Sequence, residues 1–179
     1  MKISLQPVEE LTDSERAALQ DLNAAVYPPE VAAVWPGRTI EWAARQWSVI
    51  VSDDVECQAI AHAGIVIRQA RWNDCDVKVG GIGGVMTHPE FRGRGFARIA
   101  VNRAVDFFRE QDDIDFALLV CKSALIPLYE RFGWRTFSGD LHVKQHGESV
   151  KFTFNLPMTY PLRLTEELGG TIDLLGPPW

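Results

Sequence analysis

Residues Gly84–Ala97, GVMTHPEFRGRGFA, hold the densest chemistry in the chain. An apolar segment ends at Thr87. A short turn then delivers Arg92, Gly93, Arg94, Gly95, Phe96 and Ala97 to the start of an alanine-rich helix. Backbone N–H groups at a helix start lack intrahelical partners, and the helix dipole favours an anion there. Glycines let a loop wrap a phosphate and arginines add charge, so the segment has the makings of a pyrophosphate site. Two common phosphate motifs fail in detail. The dinucleotide fingerprint has a small residue three positions after its second glycine, where this chain has Arg98. The P-loop needs Gly-Lys-Ser/Thr, which the chain lacks. The alternative is a glycine-rich turn with incidental arginines.

The elements that must position this loop can be traced in the sequence. Ile3–Val8 is a candidate opening strand. Thr12 or Asp13 caps a helix over Ser14–Val26, which Tyr27-Pro-Pro-Glu30 stops. Val31–Thr39 is a loop or broken helix, Ile40–Gln46 a short helix, and Trp47–Ser52 a strand. Ala59–Arg71 and Asp76–Thr87 are strands joined at Asn73-Asp74. Glycines 80, 81, 83 and 84 are unusual in a strand and predict a bulge, or a place where something lies close to the backbone. A helix over Gly95–Glu110 follows, with Ile99, Val101, Val105 and Phe108 apolar. The run Asp115–Cys121 fits a strand buried on both faces. Ser123 starts a helix, Ala124–Phe132, which Gly133 ends. Trp134–Phe137, Leu141–Lys144 and Val150–Leu156 are further strands, and residues 158–179 form a polar, proline-punctuated tail. Without a regular βαβ rhythm, the fold class is α+β (mixed α/β) with a mostly antiparallel sheet, in one domain over 1–179.

Arg92-x-x-Gly95-x-Ala97 resembles the acyl-CoA pyrophosphate motif of the GCN5-related N-acetyltransferase (GNAT) superfamily. The likeness extends over residues 47–137. It takes in the glycine-rich strand, the helix after the loop, the buried strand, and Leu128-Tyr-Glu-Arg-Phe-Gly-Trp134. Within the superfamily the chain resembles the aminoglycoside 2′-N-acetyltransferases in Ala59-Ile-Ala-His-Ala63, in the Leu128–Trp134 segment, in Phe154-Asn-Leu-Pro157 and in the closing Trp179. The resemblance implies acetyl-CoA as co-substrate and transfer to an amine of an aminoglycoside, at the 2′ position, in a ternary complex. The rivals are another small amine or peptide N-terminus as acceptor, and an acyl-CoA-binding module without turnover. The resemblance also implies that Val85, Met86 and Thr87 pair with the pantetheine arm and that the 92–97 loop holds the pyrophosphate. Tyr129 matches the tyrosine that protonates the leaving thiolate, and an unperturbed phenol pKa of about 10 suits that donor.

The general base has no single candidate. Some relatives carry a glutamate on the bulged strand where this chain has Gly83. Glu41, Asp140, Glu148 and the carboxylate of Trp179 are candidates, and a water relay is the alternative. Trp35, Glu41, Glu148 and Trp179 are the expected acceptor-binding residues, because carboxylates face ammonium groups and sugar faces stack on aromatics. Trp42 can add to that wall, whereas Trp47 fits ordinary core, as does His62 between its alanines. His142 and His146, four apart outside a helix, do not suggest a metal site.

The composition agrees. The 179 residues carry 18 Lys+Arg against 24 Asp+Glu, a formal charge of −6, which disfavours general nucleic-acid binding and draws in cations. Cys57, Cys75 and Cys121 form no paired framework. Residues 1–10 have no signal-peptide core, and no apolar run reaches the length of a membrane span, so the expected compartment is the cytoplasm. The expected partners are a small polyamine and, in a homodimer, a second copy of the chain.

Overall fold

The computed structural model describes residues 1–53, 58–164 and 169–179; Cys57 lies outside the described residues. The fold begins with β1 (Lys2–Pro7), antiparallel to β2 (Trp47–Ser52). Between them stand α1 (Asp13–Val26) and α2 (Pro29–Val34). Thr12 caps α1 in a reciprocal box: its hydroxyl accepts from Glu15 N–H while the Glu15 carboxylate accepts from Thr12 N–H. Pro28 and Pro29 enforce the break after α1, as the sequence predicts.

Two long strands form the spine of the sheet. β3 (Ala59–Trp72) and β4 (Cys75–Thr87) pair antiparallel through the two-residue turn Asn73-Asp74. α3 (Phe96–Glu110) crosses the sheet and buries Val101, Val105, Phe107 and Phe108. β5 (Phe116–Cys121) then lies parallel to β4, and β9 (Leu156–Pro161) covers its other edge. Beyond β5 the chain forms α4 (Ile126–Glu130), β6 (Arg135–Thr136) and the hairpin β7–β8 (Asp140–Gln145, Glu148–Lys151), and it closes with β10 (Thr171–Asp173). Among the described residues ten strands make one sheet, in which the β4–β5 and β7–β10 pairings run parallel. The expected mixed α/β class and mostly antiparallel sheet are what the chain adopts.

Four expectations need correction. Ile40–Gln46 is not a helix: Ala43 and Gln46 N–H donate to Pro178 O and Ile65 O, both at 2.7 Å, instead of to carbonyls one turn back. The Ala124–Phe132 helix shrinks to α4 after a single 3₁₀ turn at Ser123–Leu125, with Pro127 at its start; Gly133, at φ +91°, ends the turn as expected. Val150–Leu156 is not one strand. β8 stops at Lys151, Phe152 and Phe154 join an aromatic cluster, and β9 starts at Leu156 on the far edge of the sheet. Residues 158–179 are not a polar tail. They supply most of β9 and all of β10, and Met158, Ile172, Leu174 and Trp179 are buried.

Candidate active site

Strands β4 and β5 are paired only from Val79↔Phe116 to Ile82↔Leu119, although β4 runs on to Thr87 and β5 to Cys121. Past Ile82 the two strands part, and their backbones open a gap in the middle of the sheet. On its β3 side, β4 carries a bulge: the register jumps from His62↔Met86 to Gly64↔Gly83, which leaves Gly84 and Val85 opposite Ala63. Gly84 has φ +56°, a left-handed conformation that glycine adopts without strain. Val85, Met86 and Thr87 therefore lie along the gap, beyond the last pairing of β4 with β5.

The other glycines of β4 make room for neighbours. A side chain at Gly80 would come within 2.7 Å of the Phe108 ring, so this glycine lets α3 press onto the sheet. A side chain at Gly81 would overlap the Trp179 indole, and one at Gly83 would come within 2.6 Å of the Trp179 main-chain carboxyl carbon. The bulge and the close approach anticipated from the glycines are both present.

The 92–97 loop stands at the end of β4. Gly93 and Gly95 have φ +76° and +85°, and nothing lies within 4 Å of where their side chains would project. Gly95 is the N-cap of α3, and the first bond of the helix runs from Ile99 N–H to Gly95 O. The N–H groups of Phe96, Ala97 and Arg98 therefore have no intrahelical acceptor. Arg92 donates to Thr87 O at 3.4 Å, which ties the loop to the strand end, and the Arg94 guanidinium lies 5.4 Å from the Phe91 ring centroid. The arrangement is an open cradle of donors and positive charge at a helix N-terminus.

Tyr129 of α4 is buried among Phe132, Trp134 and the core. Burial pushes its phenol above its ordinary value, with smaller contributions from Cys121, at the end of β5, and Tyr27. It therefore stays protonated at neutral pH and can act as a proton donor. Burial likewise raises the Cys121 thiol to about 11, which keeps it from acting as a thiolate.

The residues expected to bind the acceptor come from distant segments. The Trp35 and Trp42 rings stack at 5.9 Å with 17° between their planes, and Phe154 meets both edge-on. Glu41 is brought to the β7–β8 hairpin that carries Glu148. Its backbone exchanges hydrogen bonds with the Gln145 amide at 2.9 Å, and its carboxylate accepts from His146 N–H at 3.0 Å. Glu148 is exposed beside them, and Asp140 pairs with Lys151 at 2.7 Å. Trp179 is tucked in, with its Nε1–H donating to Leu118 O at 3.0 Å and the Arg68 guanidinium 5.2 Å from its ring centroid. Arg68 also donates to Pro177 O at 2.9 Å. Trp47 packs on Phe107 as core. Among the described residues no cluster of His, Cys, Asp and Glu could hold a metal ion, and no helix is long and apolar enough to cross a membrane.

Sequence reasoning missed the polar chain that runs from Arg45 to the buried Ser48 and His62, and the clasp of Arg68 on the last residues. The only sequence signal for the first was a histidine set in a run of small residues.

The pattern of the acetyltransferase (GNAT) domain matches residues 7–137. No curated protein matches the sequence. Among solved structures, the Escherichia coli GNAT family N-acetyltransferase YhbS, in complex with CoA, is similar at TM-score 0.63 and 18% identity, over 97% of this chain and 90% of that one. Escherichia coli ElaA is similar at 0.62 and 17%, over 89% and 98%. A Pseudomonas aeruginosa acyl-CoA N-acyltransferase is similar at 0.60 and 15%, over 89% and 98%.

Proposed function

Because the chain belongs to the GNAT acetyltransferase family, with acetyl-CoA as co-substrate, we propose that it acetylates a primary amine of a small polycation and that this acceptor is an aminoglycoside at its 2′ amine. The observation that carries the reading is the seat of Trp179. Its indole lies against Gly81 and its backbone against Gly83, one residue from the bulge, so an aromatic face flanks the approach of an amine to the gap. The formal charge of −6 favours a cationic acceptor over an anionic one. Trp35, stacked on Trp42, offers a flat wall for a sugar face, and Glu41 and Glu148 add acidic character at the hairpin.

In this reading the CoA pyrophosphate sits on the N–H groups and arginines of residues 92–97, and the pantetheine arm runs along Val85, Met86 and Thr87. A backbone N–H at the bulge polarises the thioester carbonyl. The neutral amine attacks that carbon, a C–N bond forms, and the amine gives up its proton through water. The C–S bond then breaks, and Tyr129 gives its phenolic proton to the departing thiolate. The compartment proposed for this reaction is the cytoplasm.

A second acceptor class, a small amine with an aromatic or apolar portion, is favoured by one observation: the Glu41 carboxylate is already taken up by His146 N–H, which leaves the aromatic wall as the more available surface. Thiol release from acetyl-CoA, measured against a panel of aminoglycosides, aryl-alkyl amines and peptide N-termini, tests both. Turnover of aminoglycosides that carry a 2′ amine, with acetylation at that amine, is expected. Turnover confined to the aryl-alkyl amines would move the assignment to the second class. CoA binding without thiol release on any amine would make the protein a binding module.

A further inference from the structure

The bulge leaves Gly84 and Val85 outside both ladders of β4. One side chain nevertheless holds this stretch. His62 Nδ1 lies 2.8 Å from the Gly84 carbonyl oxygen, and His62 is completely buried. A carbonyl can only accept, so Nδ1 carries the proton. Burial depresses the imidazole to about 4, with the neighbouring Arg45 charge adding to the effect, so the ring is neutral at physiological pH and Nε2 is bare. Nε2 faces Ser48 Oγ at 3.3 Å, and that hydroxyl accepts from Arg45 Nε–H at 3.1 Å. The hydroxyl proton of Ser48 is then free to point at Nε2. The bonds run one way, from Arg45 to Ser48 to His62 to Gly84 O, and both ring nitrogens of His62 are engaged.

The consequence reaches the gap through peptide geometry. No peptide bond among the described residues is cis. In a planar trans peptide the C=O and the following N–H point in opposite directions. Gly84 C=O is drawn toward His62 on β3, so Val85 N–H points away from β3. β4 lies between β3 and β5, and the direction away from β3 is therefore the gap. Glycine leaves this peptide freer to rotate than any other residue would, and neither ladder restrains it, so a side-chain anchor has a task here.

We propose that His62 is a positioning residue for acetyl transfer: fixed as the neutral Nδ1–H form by Ser48 and Arg45, it clamps the Gly84–Val85 peptide so that Val85 N–H meets the thioester carbonyl oxygen of acetyl-CoA. The proposal rests on the acetyl-CoA chemistry above and is independent of which amine is the acceptor.

The test has an arm that needs no acceptor. In protein labelled with ¹⁵N-histidine, long-range nitrogen–proton correlation at neutral pH should show His62, assigned by its loss in His62→Asn, as the Nδ1–H tautomer. An Nε2–H or a doubly protonated ring would overturn the proposal. The second arm compares His62→Val with His62→Asn, whose amide can place an N–H close to where Nδ1 stood. With the amine that the panel identifies, kcat in His62→Val should fall about 10–100-fold, less than the roughly 100–1,000-fold that follows outright loss of an oxyanion donor, because the Val85 N–H is misplaced and not removed, while CoA affinity by calorimetry changes little. His62→Asn should recover most of that loss. Equal kcat in wild type and His62→Val, or no recovery in a folded His62→Asn, would overturn the proposal. Should the valine variant not fold, the tautomer and the asparagine variant still decide. Absence of aminoglycoside turnover with the tautomer intact would overturn the acceptor assignment and leave His62 in place.

Discussion

The proposed donor side and the proposed acceptor side are built by different means. The donor side is a single contiguous stretch, Gly80–Ala97, in which the backbone does most of the work: a bulge at Gly84, left-handed glycines at 93 and 95, and free N–H groups at the start of α3. The acceptor side is assembled from segments far apart in the chain. Glu41 meets His146, Ala43 meets Pro178, Arg68 meets Pro177, and Trp179 lies under β4. A backbone site needs glycines and a helix start at fixed spacing, and such spacing is visible in a sequence. A site made of side chains from four segments has no spacing to see.

The donor side should break under the smallest insult. Gly95→Asp places a carboxylate in the open cradle at φ +85° and should weaken acetyl-CoA binding about 100-fold or more, by like-charge repulsion at short range. Gly95→Asn separates charge from backbone strain, because asparagine tolerates the left-handed conformation and carries no charge. Calorimetry should find Gly95→Asn much closer to wild type. Equal weakening in the two would make the loop's conformation, and not its electrostatics, the basis of binding.

Tyr129→Phe should lower kcat about 100-fold and leave acetyl-CoA affinity near wild type, because the ring keeps its contacts with Phe132 and Trp134 and only the proton donor goes. Single-turnover kinetics keep product release from masking the effect. A wild-type single-turnover rate would take Tyr129 out of the chemistry.

The pH response sharpens the donor side further. The folded-state value of His62, about 4, lies below its ordinary 6.5, so on acidification the unfolded chain takes up this proton first. The sign follows: the contribution is whole above pH 6.5 and is lost as pH falls toward 4. Between pH 7.5 and 5 it amounts to about 2 kcal/mol. Denaturant midpoints at those two pH values should therefore converge in His62→Asn, and a slope unchanged by that substitution would locate the pH response in other groups.

What the sequence made legible divides along the same line. The α1 cap, the β3–β4 hairpin and the loop before α3 each arise from residues within a few positions of one another, and each stands where expected. The failures were tertiary overrides. Ile40–Gln46 has helical composition, but its N–H groups are claimed by Pro178 and Ile65. Residues 158–179 look polar and broken by proline, yet alternate residues from Ile172 to Pro178, and Trp179 after them, are buried, and that pattern becomes meaningful only when β10 slots between β3 and β7. The role of Gly81 is equally invisible locally, since what it accommodates is a tryptophan almost a hundred positions away.

On the acceptor side the effects should be smaller, because no single group dominates. Gly81→Ala would push the Trp179 indole from its seat, at a stability cost of about 1–3 kcal/mol, the usual range for overpacking. If Trp179 lines the acceptor approach, the acceptor KM should rise several-fold while CoA affinity holds. A fall in melting temperature with KM unchanged would make Trp179 a packing residue only.

Glu41→Gln is expected to do least, and for that reason it discriminates best between the two acceptor classes. The Glu41 carboxylate accepts from His146 N–H at 3.0 Å, and a glutamine carbonyl can accept the same bond. The hairpin should keep its place, because the backbone of Glu41 remains tied to Gln145 in either variant. The substitution therefore removes one negative charge and almost nothing else. The group is exposed, so a solvated ammonium beside it gains at most about 1 kcal/mol from that charge. For an aryl-alkyl amine stacked on Trp35 and Trp42, KM should be unchanged. For an aminoglycoside with several ammonium groups, KM should rise two- to fivefold, and raising the salt concentration should erase the difference between wild type and variant. A salt-independent rise in KM would show that Glu41 acts through the hairpin it holds, and would remove it from the residues that touch the acceptor.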